Sequence, residues 1–342
     1  MLWIRMIYYF IGLLLFSYSL LRYYHLWNRN RIPNLVYGLM QGILLAAFFI
    51  CERKAIWIPD GIGKQLLVAV VTVYRCVMLC TPILCFVRGI IRTVGKRNDW
   101  NRTVAFFRFF NHPSRSIYVI LILSLIVGGI DFYMTKRITF ISHTDSVCAG
   151  QDQETMKVLL IADIHIGSEF MEQDIARLSA KVEEQQADII VFTGEIINHN
   201  SSRYLVDRLA EATKSWHSTY GIYYAVSDST KNSEILQQHF LQAAQITMLN
   251  NKIVKLKNQI QLVGVSDREN EMETQWQQLY KAVDPEKPVI AIKHRPTNAG
   301  QLLAEGADYV LSEDATKGVS QMLSLKHHSQ YICLQLSITP ED

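Results

Sequence analysis

Hydrophobic positions divide the chain into two regions with different periods. Four long apolar runs, residues 2–21, 35–51, 66–87 and 117–134, fall within the first 135 positions. Each is about as long as a helix that crosses a bilayer. No small-residue cleavage site follows the first run, so it reads as a retained helix, not a signal peptide. Residues 1–135 are therefore expected to form a four-helix transmembrane region. Residues 136–155 turn polar, rich in Ser, Thr, Asp and Gln, and read as a linker.

Beyond the linker the apolar runs shorten to strand length: 157–162, 188–192, 221–226, 252–256, 260–265, 288–292, 307–311 and 331–338. Between them lie amphipathic segments. The segment 169–186 places Ile175, Leu178 and Val182 on one helical face, and 204–216 and 232–244 behave similarly. A further helix is expected between 296 and 307. Residues 252–256 and 260–265 read as a hairpin around Lys257-Asn258-Gln259. Alternating strands and helices predict a layered α/β domain over 156–342 with its helices outside.

Charge adds an orientation. The net charge of +3 is too small to argue for nucleic acid, and no basic patch interleaved with aromatics occurs in the second half. In the first half, Arg22, Arg29 and Arg31 lie between the first two spans. Arg88, Arg92, Lys96, Arg97, Arg102, Arg108 and Arg115 lie between the last two. The opposite side carries fewer: Arg53, Lys54, Lys64, Lys136 and Arg137, with Arg5 near the end of the first span. Basic loops stay cytoplasmic, so the expected protein is a multi-pass cell-membrane protein with an extracytoplasmic C-terminal domain. Aromatics beside arginines at 104–112 suit a helix on an anionic leaflet. Arg75 in the third span either pairs with Asp131 of the fourth or snorkels to water. Of six cysteines, Cys51, Cys76, Cys80 and Cys85 sit in apolar segments as small hydrophobes. Cys148 and Cys333 are the pair open to a disulfide.

The candidate chemistry sits where strands end. The run 157–162 stops abruptly in Asp163-Ile164-His165, the next ends near Glu195, and later ones near Asp228, His294 and Asp314. Ligands of open α/β sheets bind beyond the carboxyl ends of strands. Carboxylates and imidazoles meeting there suit two divalent cations, which favour phosphoryl chemistry. Without a metal, four clustered acids would repel one another, and some would stay protonated.

These landmarks resemble the calcineurin-like metallophosphoesterases, in particular a bacterial branch with several N-terminal membrane helices. The resemblance spans roughly 156–321 and includes Met248-Leu249-Asn250-Asn251 through Leu262-Val263-Gly264-Val265-Ser266-Asp267, His294 with Pro296, and Ala307-Asp308-Tyr309-Val310-Leu311-Ser312. It implies a β-sandwich flanked by helices, and a metal set of Asp163, His165, Glu195, Asp228, His294 and Asp314. The oxygen-rich set points to Mn²⁺ or Mg²⁺ more than Zn or Fe.

The motifs also depart from the family. Asp163 and His165 keep the first, Asp-x-His. The second, Gly-Asp-x-x-Asp, reads Gly194-Glu195-Ile196-Ile197-Asn198. The third, Gly-Asn-His-Asp, reads Ser227-Asp228-Ser229-Thr230, so the proton-donating imidazole is replaced by a hydroxyl. General acid catalysis contributes about 10²–10⁴-fold, and which residue would supply it here is unknown. His294 preserves the fourth motif. The fifth, Gly-His-x-His, reads Glu313-Asp314-Ala315-Thr316. Arg295 is a candidate contact for a substrate phosphate and His199 for a proton donor, each against a solvated surface role.

Three readings stay open. One is a membrane-anchored hydrolase of phosphomonoesters or phosphodiesters, acting on a lipid-linked or envelope substrate. The second is a pseudoenzyme using the same fold as an extracytoplasmic binding or scaffold protein. The third places the function in the four helices, with the outer domain regulatory. The substrate and the oligomeric state are not set by the sequence.

Overall fold

A computed structural model of the chain describes residues 12, 14–19, 43, 62–97, 112–148, 154–167, 170–198, 200–226, 234–257, 259–266, 272–295, 297–312 and 330–339. The chain divides into two compact units, Met1–Met134 and Thr135–Asp342.

In the first unit, helix α1 (Ile62–Arg97) and helix α2 (Pro113–Lys136) carry the expected third and fourth spans. Both are long and apolar enough to cross a membrane, with mean hydropathies of 2.0 and 2.2 over the most apolar 18-residue stretch within Ile62–Arg97 and Arg115–Met134. The expected spans at 2–21 and 35–51 lie outside the described residues, apart from helical positions 12, 14–19 and 43. Ile83, Phe86 and Ile90 on α1, and Ile122, Ile126 and Ile130 on α2, face outward and are exposed. Apolar side chains turned outward over this area would be unfavourable in water and suit lipid. The helices approach closely at Gly128, where a Cβ would stand 3.1 Å from the Val73 carbonyl. Thr81 donates to Ser124 (3.2 Å) across the same contact.

The second unit contains strands β1 (Thr139–Cys148) and β2 (Glu154–Ala162), helix α3 (Glu172–Gln185), strand β3 (Ile189–Gly194), helix α4 (Arg203–Ser215), strand β4 (Ile222–Val226) and helix α5 (Glu234–Ala243). Then follow β5 (Thr247–Met248), β6 (Lys252–Lys255), β7 (Gln261–Gly264), α6 (Met272–Tyr280), β8 (Val289–Lys293), α7 (Ala299–Ala304), β9 (Tyr309–Ser312) and β10 (Gln330–Thr339). Among the described residues one sheet has the order β1-β10-β2-β3-β4-β5 and the other β6-β7-β8-β9.

Period-two alternation builds the interior. Met156, Val158 and Leu160 of β2, Ile189 and Val191 of β3, Ile290 and Ile292 of β8, and Leu334 and Leu336 of β10 form one buried cluster between the sheets. The intervening residues face the helices. Phe192 of β3 stacks on Trp216 and meets Phe240 of α5 edge-on. On the outer side of the second sheet, Val263, Val289 and Ala291 pack against Trp276 and Tyr280 of α6 and Leu302 of α7. This is the expected layered arrangement of sheets and flanking helices.

Two expectations change. The stretch read as a linker, 136–155, contains β1, which pairs in parallel with β10 from Thr139↔Gln330 to Cys148↔Thr339. An edge strand is held by its ladder, so its polar side chains carry no apolar alternation to read. Asp145 on β1 accepts a hydrogen bond from Tyr309 on β9, which joins the edges of the two sheets. The possible Cys148–Cys333 disulfide is excluded by register. Cys333 lies opposite Ser142, about 20 Å along the strand from Cys148 at roughly 3.3 Å per residue. A disulfide needs Cα atoms within about 7 Å. The helix α6 had no counterpart in the sequence reading.

Gly264, in the hairpin landmark, explains itself sterically. A Cβ there would stand 2.3 Å from the Leu249 Cβ and 2.5 Å from its carbonyl oxygen. Gly264→Ala should lower the free energy of chemical unfolding by about 1–3 kcal/mol through overpacking. Gly300→Ala, at a position in α7 where a Cβ meets nothing within 4 Å, should be neutral or stabilising by up to about 1 kcal/mol. Equal unfolding midpoints for the two variants would contradict this packing.

Candidate metal centre

β2 and β3 run parallel, and their pairing continues beyond the strand ends. Ala162 pairs with Thr193, and an isolated bridge joins Ile166 to Ile197 in the same register. The N–H groups of Asp163, His165 and Ile166 donate to the carbonyls of Thr193, Glu195 and Ile196 at 3.2, 3.1 and 3.0 Å. The two loops therefore lie side by side, and Asp163 and His165 both take left-handed backbone conformations, with φ of 44° and 49°. Such conformations are uncommon for residues other than glycine and cluster at functional sites.

Side chains converge here. The Glu195 N–H donates to Asp163 Oδ1 at 2.6 Å, which orients the carboxylate. His165 Nε2 stands 4.0 Å from Asp163 Oδ1, and Nδ1 stands 3.6 Å from Glu195 Oε2. His294, the first residue after β8, arrives from the second sheet. The meeting point is the bare Cα of Gly194, whose φ is +73°. A Cβ at that position would lie 2.2 Å from Asp163 Oδ1 and 2.7 Å from His294 Cε1. Any side chain at 194 would displace two of the expected ligands.

The electrostatics follow from this crowding. Burial first, and then the Asp163 charge, push the Glu195 carboxyl up to about 7, with His294 pulling it back. Burial, reinforced by Asp163 and Glu195, also raises the phenol of fully buried Tyr224. Tyr224 therefore stays protonated and donates to the Gly194 carbonyl at 2.9 Å, fixing the turn from behind.

The sequence-derived set is only partly visible. Asp163, His165, Glu195 and His294 are brought together, and Arg295 lies exposed beside His294. Asp228 and Asp314 lie outside the described residues, as do Ser229, Thr316 and His199. Among the described residues no three His, Cys, Asp or Glu side chains close around a single metal position. Neighbouring ligands of an octahedral ion at about 2.1 Å lie roughly 3 Å apart, so separations of 3.6 and 4.0 Å are somewhat wide. The donor chemistry nevertheless fits divalent cations. Two carboxylates and two imidazoles lie close together, and burial, then the Asp163 charge, pushes the Glu195 carboxyl up to about 7.

Two contributors escaped the sequence reading. Tyr224 was counted only as a strand residue, and its alternation toward the helices gave no sign of its bond to Gly194. Asn198 was noted only as a motif departure. In the structure its amide nitrogen lies 3.5 Å from His165 Nδ1.

Comparison with known proteins agrees with the motif order. The family model described as calcineurin-like phosphoesterase matches residues 156–328. An uncharacterised metallophosphoesterase of Aquifex aeolicus is 22% identical over 208 residues, covering 58% of this chain and 77% of that protein. An uncharacterised metallophosphoesterase of Campylobacter jejuni is 25% identical over 190 residues, covering 54% of this chain. The match spans 46% of that relative's own length. The crystal structure of TT1561 of Thermus thermophilus superposes with a TM-score of 0.37 at 10% identity, over 53% of this chain and 89% of the other. The family match covers half the chain and contains Asp163, His165, Glu195 and His294: this chain belongs to the calcineurin-like phosphoesterases.

Proposed function

We propose that this chain is a membrane-anchored, metal-dependent phosphoesterase whose catalytic domain faces the extracytoplasmic side. The observation that carries the reading is the grouping of Asp163 and His294 against the bare Cα of Gly194, with His165 within 4.0 Å of Asp163 and 3.6 Å of Glu195. The excess of basic residues in the loops at 22–34 and 88–116 supports the orientation. The outward apolar faces of α1 and α2 support the anchoring. A domain held near a bilayer suits a lipid-linked or envelope phosphoester, either a phosphomonoester or a phosphodiester.

Members of the family use divalent metal ions, which in such a site supply Lewis-acid neutralisation of phosphate and an activated water. Mn²⁺ or Mg²⁺ suits the oxygen-rich set best. Asp163, oriented by the Glu195 N–H, and Glu195 supply the negative charge that attracts cations, and His165 and His294 supply nitrogen donors. Asp228 and Asp314 would complete the set. Arg295, exposed beside His294, is the candidate contact for a phosphate oxygen.

A second reading, a phosphoesterase fold kept for binding, is supported by Ser229 standing where the family has its proton-donating imidazole. One experiment separates them: metal content and Mn²⁺-dependent hydrolysis of an aryl phosphoester by the full chain in detergent. The full chain is preferable to a piece starting near Gln153, which would lack β1. The hydrolase reading expects bound metal and activity, with at least a hundredfold loss in Asp163→Ala and in Glu195→Ala. A folded, metal-free and inactive wild type would leave only the binding reading.

Glu195 also sets a pH dependence. Its folded-state pKa is raised to about 7 from an ordinary 4.5. Below pH 4.5 it is neutral in both states. As pH rises from 4.5 to 7 the unfolded chain ionises first, so metal-free stability falls across that window. Over the same window a proton competes with the cation, so metal affinity should rise with pH and level off above about 7. Glu195→Gln should flatten both curves. Unfolding and Mn²⁺ titrations between pH 5 and 8 measure them. A wild-type stability curve that climbs from pH 5 to 7, with Glu195→Gln unchanged, would refute the assignment.

A further inference from the structure

We propose that Asn198 is a positioning residue that sets which nitrogen of His165 bears its hydrogen, and that it disfavours the form able to ligate a cation through Nε2. The inference rests on the metal-centre reading above.

Asn198 is 5% exposed and is held at two points. Its N–H donates to Ser201 Oγ at 2.9 Å, and its Oδ1 accepts the Asn200 N–H at 2.8 Å. Ser201 Oγ in turn donates to the Ile166 carbonyl at 2.6 Å, which locks this turn to the loop carrying His165. Because Oδ1 is turned toward the Asn200 N–H, the other corner of the amide, Nδ2, is the one 3.5 Å from His165 Nδ1. An amide nitrogen donates and does not accept. Its neighbour Nδ1 is then the acceptor, and a neutral imidazole with an acceptor at Nδ1 carries its hydrogen on Nε2.

Nε2 is the ring atom 4.0 Å from Asp163 Oδ1. An N–H there suits a carboxylate but offers no lone pair to a cation. Ligation through Nε2 requires the hydrogen on Nδ1, where it would face the donor group of Asn198. Glu195 Oε2, 3.6 Å from Nδ1, would accept that hydrogen. Asn198 and Glu195 thus favour opposite tautomers at Nδ1, and Asn198 weakens the one that binds metal. A carboxylate at 198 would keep both anchoring bonds and exchange the opposing donor for an acceptor. Partners that orient a ligating histidine in this way change metal affinity by about 10–100-fold.

The test uses the full chain in detergent, with Mn²⁺ or Zn²⁺ alone as titrant, alongside ¹⁵N shifts of the neutral His165 ring in metal-free protein. The expected results are an Nε2–H tautomer in the wild type, a shift toward Nδ1–H in Asn198→Asp, and metal binding about 10–100-fold tighter in that variant. Asn198→Ala, which removes the donor without adding an acceptor, should fall between. An Nδ1–H tautomer in the wild type would overturn the proposal without any variant. So would an unchanged tautomer and unchanged affinity in folded Asn198→Asp. A tautomer shift with no metal bound by any form would uphold the role of Asn198 and defeat the metal-centre reading instead.

Discussion

The site depends on one constraint: the parallel ladder between β2 and β3 does not stop where the strands stop. Thr193, Glu195 and Ile196 keep accepting from the facing loop, and the register that pairs Ala162 with Thr193 still holds at Ile166 and Ile197. The N–H groups of Asp163, His165 and Ile166 therefore find their acceptors in the facing loop, which holds the two loops side by side. The left-handed conformations of Asp163 and His165 are the local cost of turning both side chains the same way while the ladder is kept.

That point is also where the two sheets meet. β8 belongs to the second sheet, yet His294 at its end reaches the same Cα of Gly194 as Asp163 does. The apolar cluster between the sheets, from Val158 and Leu160 across to Ile290 and Ile292, sets how the two sheet ends face one another. Packing in the core thus decides a distance in the polar site. The outcome is a Glu195 carboxyl pushed up to about 7, first by its burial and then by the Asp163 charge beside it.

The two units solve the hydrophobic problem in opposite ways. In the second, Leu159, Ile161 and Phe192 are withdrawn completely from the surface. In the first, small or polar groups such as Gly128, Thr81 and Ser124 occupy the helix contact, and isoleucines and Phe86 face outward. Close backbone approach at Gly128 and the Thr81–Ser124 hydroxyl pair join the two helices at this contact.

The sequence by itself determined most of the strand and helix order, β1, β5 and α6 apart, together with the layered class and the places where chemistry collects. These are local signals. Period-two and helical spacing appear in the residues themselves, and a motif such as Asp163-Ile164-His165 is visible because its members adjoin. It also showed that Glu195 and Asn198 depart from the family pattern. Tertiary structure decided the rest. β1 was illegible because an edge strand is held by the backbone of β10, not by its own side chains. The Cys148–Cys333 question was settled only by register. Tyr224 and Asn198 gained their roles from neighbours brought beside them by the β3–β4 and β2–β3 pairings. A hydrogen bond between residues thirty positions apart has no period and leaves no trace in composition. It exists only once the sheet has closed.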